Sequence, residues 1–292
     1  MQDIIVIVGP TGIGKTKLSI ELAKKLDGEI INGDSVSIYK KLDIGSAKPT
    51  KEEQSGIIHH LIDIKDVNED YTVFDYQKDA RKVLDDLLSK NKNIIIVGGT
   101  GLYLKALLYN YEFKENSGKK DFSSYTNEEL YKMVKKINND TDIHINNRQR
   151  LESYLNNHNE DDKVVSNEMI YPTIIIGLTR PREELYSAIN KRVDEMDKNG
   201  LIEEAKYFHD NRIYSKAINT AIAYKELYMY FDGKISLEEA KELIKKRSRN
   251  YAKRQYTWFN NQLDVTWFNI NKDNFNLTID EVINYIENKK RT

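Results

Sequence analysis

A phosphate-binding loop near the amino terminus is the feature that most constrains the fold of this 292-residue chain. Residues Gly9–Thr16 match the pattern G-x-x-x-x-G-K-[ST] at every fixed position. The loop follows an apolar β-branched run, Ile4–Val8, which is typical of a buried parallel strand. It leads into a segment where Leu18, Leu22 and Leu26 recur every fourth residue, as on one helix face. This strand–loop–helix context predicts an α/β fold that binds a phosphorylated ligand.

Composition limits the class of protein. The chain has 45 basic and 46 acidic residues, a formal net charge of -1 and no cysteine. Disulfides and thiolate metal sites are therefore impossible, whereas a nucleic-acid partner is neither indicated nor excluded, because such partners bind local patches. No apolar run approaches the roughly 20 residues of a membrane span, and Met1–Asp3 leads directly into the first strand. We expect a soluble, cytoplasmic monomer without a membrane segment.

Strand and helix signals alternate along most of the chain. Glu29–Asp34, Asn93–Val97 and Thr173–Leu178 read as strands, and Phe74–Ser89 has helical spacing. Helices follow the last of these strands almost without interruption, beginning at Pro181. This alternation predicts a parallel sheet flanked by helices.

A polar stretch rich in Asn, Lys and Asp interrupts this pattern at residues 116–167. A capping box, Thr126–Glu129, opens a helix there, and a second helix is expected near Asn147–Leu155. We predict three segments: residues 1–115 as the first part of the P-loop core, 116–167 as a small all-helical insertion domain, and 168–292 as the second part of the core, mostly helical with a basic C-terminal helix. The apolar residues expected on one side of the first insertion helix are Leu130, Met133, Val134 and Ile137.

The loop itself has the chemistry of a phosphate site. Its backbone N–H groups and the helix N-terminus favour phosphate oxygens. Lys15 adds a positive charge, and the Thr16 hydroxyl is the usual Mg²⁺ contact in an ATP-binding-type loop of this kind. We therefore expect Mg²⁺ as cofactor, with Thr16 as its ligand. The predicted phosphate-binding residues are Gly9, Pro10, Thr11, Gly12, Ile13, Gly14, Lys15 and Thr16.

A second apolar strand lacks the acid that a nucleotide hydrolase requires. Such enzymes place a carboxylate after this strand to hold Mg²⁺ and water. Here Ile94–Val97 is followed by Gly98–Gly101, which reads Gly-Gly-Thr-Gly. This argues against an ordinary ATPase or GTPase and leaves a P-loop small-molecule kinase possible.

Asp34 ends the predicted strand Glu29–Asp34, where it would face the ligand crevice of an open α/β sheet. A carboxylate there can accept a proton from a nucleophile or hydrogen-bond the substrate. In the alternative interpretation, Asp34 and Ser35 only satisfy the backbone of a turn. The residues alone leave both open.

Two further clusters have competing interpretations. His59 and His60 with Asp63 suggest a metal site, but adjacent residues of a strand point in opposite directions, which favours structural histidines. The helical segment Lys245–Phe259 combines basic and aromatic residues that suit phosphate contact and base stacking. It could equally be a solvated surface.

Together these stretches resemble the tRNA dimethylallyltransferase (tRNA isopentenyltransferase) family. The resemblance covers the core from end to end and is highly specific there. The matching segments are Gly9–Thr16, Gly33–Ser35 with Tyr39, Asp43–Pro49, His59–Asp63, Val97–Tyr103, Arg192–Met196, Tyr224–Glu226 and Arg249–Phe259.

The resemblance implies transfer of a dimethylallyl group from dimethylallyl diphosphate to N6 of adenosine 37 in the tRNA anticodon loop. The P-loop would hold the leaving pyrophosphate with Mg²⁺, and the adenosine would be flipped out of its stack. Asp34 would take the N6 proton, with Lys15 and Thr16 assisting catalysis, and the insertion would grip the anticodon stem. The residues implied to contact tRNA or its adenosine are Asp34, Ser35, Val36, Ser37, Thr100, Gln149, Arg150, Arg247, Arg249, Lys253 and Arg254.

The chain departs from the family pattern on the nucleic-acid side. Ser37 stands where a glutamine is usual, Ala223 replaces a glycine, and the expected arginine pattern of the insertion is reduced to Gln149–Leu151. Three alternatives therefore stay beside tRNA prenylation: prenylation of free adenine nucleotides, a P-loop small-molecule kinase, and a catalytically silent tRNA-binding relative.

Overall fold

The computed structural model of the protein describes residues 4–111, 120–157 and 168–291. The chain divides into two compact units. The larger unit comprises Met1–Tyr109 and Met169–Thr292, and the smaller comprises Asn110–Glu168.

The larger unit is built on a six-stranded parallel sheet with the order β3-β2-β4-β1-β5-β6. Its carboxyl edge gathers the segments that matter for function. Asn32 of β2 lies opposite Val97 of β4, and Val97 lies opposite Ile7 of β1, so the three following loops leave the sheet side by side. The strands are β1 (Ile4–Val8), β2 (Gly28–Asn32), β3 (His59–His60), β4 (Asn93–Val97), β5 (Ile174–Thr179) and β6 (Thr266–Asn269).

Both faces of the sheet are covered by helices, which explains the continuous apolar runs of its strands. In β1, Val6 belongs to one apolar cluster and its neighbours Ile5 and Ile7 to the other. The helices of the larger unit are α1 (Lys15–Leu26), α2 (Lys51–Gln54), α3 (Val73–Ser89), α4 (Gly101–Leu108), α7 (Arg182–Lys198), α8 (Leu201–Asp210), α9 (Lys216–Thr220), α10 (Tyr224–Phe231), α11 (Leu237–Gln262) and α12 (Phe275–Arg291).

The smaller unit contains helices α5 (Asn127–Ile137) and α6 (Arg148–Asn157), with no strand in its described part. The capping box at Thr126 is confirmed, because its side chain accepts from the Glu129 N–H and the Glu129 carboxylate accepts from the Thr126 N–H. Leu130 and Val134 are buried in the core of this unit. Ile137 also belongs to α5, as predicted, but lies at its last turn and is 43% exposed.

The parallel sheet flanked by helices confirms the predicted fold class, but the carboxyl-terminal part differs from the prediction. Strand β6 and helix α12 follow the basic helix α11, which is therefore not the C-terminal helix. Strand β2 also pairs with β4, so β4 lies between Asp34's strand and the strand of the P-loop. Within the described ranges, no helix is both long and apolar enough to cross a membrane.

Candidate functional site

The P-loop takes the expected shape between β1 and α1. Gly9, Gly12 and Gly14 have φ angles of 140°, 76° and 97°, a region that only glycine adopts readily. Gly14 also lies against Phe275 at the start of α12, where an added Cβ would come within 2.9 Å of the ring. The glycines therefore allow both the turn and the close packing around it.

The Lys15 ammonium is enclosed by the loop. Its Nζ donates to the carbonyl oxygens of Gly9 and Pro10, both at 2.9 Å. The pKa of Lys15 is lowered to about 7, first by desolvation and then by the charge of the nearby Arg192, while Asp34 opposes the shift. The site is therefore poised for an anion that would restore the charge of this lysine.

Arg192 supplies a second cation from α7. Its Nη1 donates to the Thr11 hydroxyl at 3.2 Å. Desolvation lowers the pKa of Arg192, and Asp34 opposes that shift. The larger unit thus places two cations and one carboxylate within electrostatic reach of one another beside a phosphate-binding loop.

Asp34 lies in the turn after β2, and its two carboxylate oxygens have different surroundings. Its Oδ1 accepts from the Val36 N–H at 3.0 Å, which is an Asx-type turn contact. Its own N–H donates to Asn32 Oδ1 at 3.0 Å. The second oxygen, Oδ2, points to Gly99, where it lies 3.5 Å from the position of an ideal Cβ. The turn therefore fixes Asp34 by one oxygen and leaves the other directed to the glycine turn after β4.

Thr100 joins these two turns. Its Oγ1 accepts from the Ser35 N–H at 3.0 Å and lies 3.2 Å from the Ser35 hydroxyl. The turn has glycine at position 98 because a Cβ there would collide with the backbone of Gly33. This close approach of two backbones excludes any side chain, a carboxylate included, at position 98.

Ser37 and Val36 complete the turn after Asp34. Ser37 is 6% exposed, and its carbonyl oxygen accepts from the Asp63 N–H. Val36 is partly buried against the core. The structure thus places Ser35, Val36 and Ser37 in the Asp34 turn, with Ser37 buried.

Helix α11 closes the site from the other side through two residues. Gln255 Oε1 accepts from the Thr11 N–H at 2.9 Å, and its Nε2 donates to the Gly99 carbonyl oxygen at 3.0 Å. Burial raises the pKa of Tyr251 and the charge of Asp34 raises it further, while polar contacts with Thr100 and Gln255 oppose the rise.

Two adjoining depressions follow the outer face of α11, with volumes of about 460 and 280 Å³. Asn250 and Arg254 line both of them, Lys253 and Trp258 line the larger, and Arg247 lines the smaller. The guanidinium of Arg254 also lies 5.7 Å from the centroid of the Tyr251 ring. Basic and aromatic groups thus share one face of α11.

Two of the predicted basic residues have protein partners. Arg247 Nη1 forms an ion pair with Glu226, whose side chain is 1% exposed. Glu226 also accepts from the Ala223 N–H at 2.9 Å. Arg249 Nη1 donates to Asn190 Oδ1 at 2.6 Å. These bonds hold both guanidinium groups in fixed positions on α11.

The predicted insertion residues lie in the smaller unit. Gln149 and Arg150 are exposed near the start of α6, and Arg150 Nη2 lies 3.3 Å from Asp142 Oδ2. Both side chains are therefore accessible on the surface of the smaller unit.

The histidine pair is structural. His59 and His60 form β3; His59 Nδ1 lies 2.9 Å from the Ile57 carbonyl oxygen, and His60 Nε2 lies 2.7 Å from Glu29 Oε2. No group of three or more His, Asp or Glu side chains in the described part of the chain is arranged to hold a metal ion.

Segment 43–48 also has a structural role. The Glu204 carboxylate accepts from the N–H groups of Asp43, Ile44 and Gly45 at 2.8–3.0 Å, and from the Tyr224 hydroxyl at 2.6 Å. This motif therefore anchors a loop to α8 and α10.

The residues define an α/β enzyme of the P-loop class, with two cations and a carboxylate at the carboxyl edge of its sheet. Comparison identifies the particular class. The family model described as IPP transferase matches residues 37–262. The chain belongs to the IPP transferase family.

Relatives in this family match the chain over nearly its full length. The tRNA dimethylallyltransferase of Anoxybacillus flavithermus is 43% identical over 302 residues, covering 99% of this chain and 97% of the relative. That of Macrococcus caseolyticus is 43% identical over 298 residues, covering 97% and 94%.

Solved structures agree with the fold. The tRNA isopentenylpyrophosphate transferase of Bacillus halodurans has a TM-score of 0.79 and 40% identity, covering 99% of this chain and 97% of that one. A eukaryotic dimethylallyltransferase described as acting on tRNA has a TM-score of 0.76 and 27% identity, covering 91% and 74%.

Proposed function

We propose that this protein transfers a dimethylallyl group from dimethylallyl diphosphate to N6 of adenosine 37, beside the anticodon of tRNA. The observation that carries the proposal is the placement of Asp34, in the turn after β2, within electrostatic reach of Arg192 and of the P-loop residue Lys15. A diphosphate satisfies the two cations, and a weakly nucleophilic amine needs the carboxylate. The near full-length similarity to tRNA dimethylallyltransferases supports the same reaction.

The reaction breaks the bond between C1 of the dimethylallyl group and the diphosphate oxygen, and forms a bond between C1 and N6. The bonding electrons leave with pyrophosphate, whose growing charge is stabilised by the loop N–H groups, Lys15 and Arg192. N6 becomes positively charged as the new bond forms, and Asp34 Oδ2 accepts its proton. Asp34 Oδ1 stays bonded to the Val36 N–H, so the accepting oxygen keeps its direction.

The donor set also fits Mg²⁺. Thr16 is exposed beside Lys15, and its hydroxyl makes no hydrogen bond within the described residues. The ion would bind this hydroxyl and supply further positive charge to the diphosphate.

We propose the outer face of α11 as the core's contact with tRNA. Lys253 and Arg254 suit phosphate oxygens, and Trp258 beside them offers an aromatic surface for a base. Gln149 and Arg150 are the proposed contacts of the insertion. Binding of tRNA makes a cytoplasmic location part of the proposal, and a monomeric state stays a prediction.

A direct assay tests the reaction. The protein is incubated with Mg²⁺, dimethylallyl diphosphate and unmodified tRNA whose anticodon is followed by adenosines, and the digested nucleosides are analysed. We expect N6-dimethylallyladenosine at position 37. Its absence across several tRNAs would overturn the proposal. ATP-dependent phosphorylation would indicate a kinase, product on free nucleotides alone the nucleotide enzyme, and tRNA binding without product a silent relative.

Asp34→Asn tests the proposed base. The amide oxygen can still accept from the Val36 N–H, so we expect the turn and tRNA binding to survive. The rate of transfer should fall by ~10²–10⁴-fold, the typical contribution of a positioned general base. Asp66→Asn is the control, because within the described ranges the side chain of this exposed acid has one ion pair, with Lys40 across 3.7 Å. An Asp34→Asn enzyme as fast as wild type would remove Asp34 from this role.

A further inference from the structure

Gln255 makes a pair of hydrogen bonds that links distant parts of the site. Its side chain lies in the interior, since the residue is 5% exposed. The carboxamide oxygen accepts from the Thr11 N–H and the carboxamide nitrogen donates to the Gly99 carbonyl oxygen, at 2.9 and 3.0 Å. A buried carboxamide with both ends satisfied is costly to replace or move.

The two ends of this carboxamide contact segments that have different roles in the proposed reaction. Thr11 belongs to the phosphate-binding loop, and its hydroxyl accepts from Arg192. Gly99 precedes Thr100, whose hydroxyl accepts from the Ser35 N–H next to Asp34. One side chain therefore spans the gap between the donor's phosphate site and the glycine turn after β4, which Thr100 joins to the turn of Asp34.

The surroundings leave this carboxamide little freedom. A Cβ at Gly99 would collide with Gln255 Nε2, so glycine is required for the contact. The helix that carries Gln255 is itself anchored, because Ala252 and Phe259 on either side of it are fully buried. The distance between the P-loop and the turn at Gly99 is therefore fixed by a side chain on a rigid helix, α11.

We propose that Gln255 is a positioning residue, which sets the distance between the donor diphosphate and Asp34. This inference rests on the proposed prenyl transfer. In such a displacement the attacking nitrogen and C1 must meet at about 3–3.5 Å, and a misplacement of about 1 Å costs on the order of 10²-fold in rate. Gln255 contacts the P-loop at Thr11 and the glycine turn at Gly99. It acts through these two segments, without contacting the reacting atoms.

Gln255→Met tests the role, because methionine keeps the length of the side chain and removes both hydrogen bonds. Gln77→Met is the matched control. Gln77, on α3, is 8% exposed, and its Nε2 donates to the Ala106 carbonyl oxygen at 2.8 Å. For each variant we measure the melting temperature, the Kd of pyrophosphate with Mg²⁺, and kcat and KM for both substrates.

The two variants should lose similar stability and differ in rate. We expect kcat of Gln255→Met to fall by about 10²-fold, with the pyrophosphate Kd changed by less than about threefold. Gln77→Met should keep the wild-type kcat. If Gln255→Met does not fold, Gln255→Asn, which keeps the carboxamide but cannot reach both partners, should show the same pattern.

Two results would overturn the inference. One is a kcat within about threefold of wild type. The other is a loss expressed mainly in the pyrophosphate Kd, which would make Gln255 part of the phosphate site. A wild-type protein that binds pyrophosphate and transfers no prenyl group would instead overturn the proposed function.

Discussion

Ala223 has a backbone conformation that strongly favours glycine, and its replacement gives a quantitative test of strain. Its φ and ψ are 98° and -47°, it is 2% exposed, and its N–H donates to Glu226 Oε2 at 2.9 Å. Glu226 in turn pairs with Arg247 on α11. Holding a residue with a Cβ in such a conformation costs on the order of 1–3 kcal/mol.

Ala223→Gly changes three terms in the free energy of unfolding. It relieves the strain of about 1–3 kcal/mol, loses a buried methyl worth about 0.8 kcal/mol, and adds unfolded-state freedom worth about 0.5–1 kcal/mol. Mid-range values give a net stabilisation of about 0.5 kcal/mol. Ala221→Gly is the matched control, because Ala221 is 4% exposed at an ordinary φ of -68° and ψ of 136°. Without strain to relieve, it should lose about 1.3–1.8 kcal/mol.

The difference between the two variants isolates the strain, because the other two terms are common to both. It should be about 2 kcal/mol, measured by urea denaturation, or about 4–8 °C in melting temperature. Equal destabilisation by both substitutions would refute the reasoning. Such a result would mean that the loop from Ala221 to Ala223 relaxes without cost.

The remaining predictions concern charge. Pyrophosphate should favour protonated Lys15, whose pKa in the ligand-free protein is about 7; binding should therefore take up ~0.9 proton at pH 8 and ~0.1 at pH 6. Calorimetry in buffers of different ionisation enthalpy measures the proton uptake. The Lys15→Met variant gives the contribution of all other groups, so equal uptake by the variant and the wild type would contradict the prediction. Because the folded pKa is lowered, the ligand-free protein should also gain stability as pH rises from about 7 toward 10.5. Lys253→Gln and Arg254→Gln should each reduce the slope of log tRNA affinity against log salt by ~1, whereas Lys246→Gln, on the same helix outside both depressions, should not; unchanged slopes for all three would remove this face from the interface.

Much of the fold could be predicted because its signals are local. Strand β4 was predicted with its observed bounds, Asn93–Val97, and the predicted capping box at Thr126 opens its helix. Strand β6 was missed since it is a four-residue edge strand, Thr266–Asn269, stabilised by pairing with the distant β5. The aromatic and β-branched residues of Thr266–Asn269 are a signal that could have found it.

The candidate site divides in the same way. The P-loop is contiguous and could be recognised from its pattern, whereas Arg192 and Gln255 reach Thr11 from 181 and 244 residues away in the chain. Neither was predicted as a site residue, although both stand in segments that carry the resemblance. For Asp34, spacing left a turn acid and a base open; the structure shows the turn contact of one oxygen, and the role of base stays a prediction.

The distribution of charge explains why a neutral side chain fits the position of Gln255. The charges that act on Lys15 come from Arg192 and Asp34, so with Lys15 protonated the three groups have an excess of one positive charge. A carboxylate at position 255 would neutralise this excess and compete with a diphosphate for both cations. A carboxamide instead accepts from the Thr11 N–H and donates to the Gly99 carbonyl oxygen without adding charge. The Gln255 carboxamide can therefore hold the site in place while the diphosphate neutralises its cations. Asp34 is then left as the carboxylate available to accept a proton.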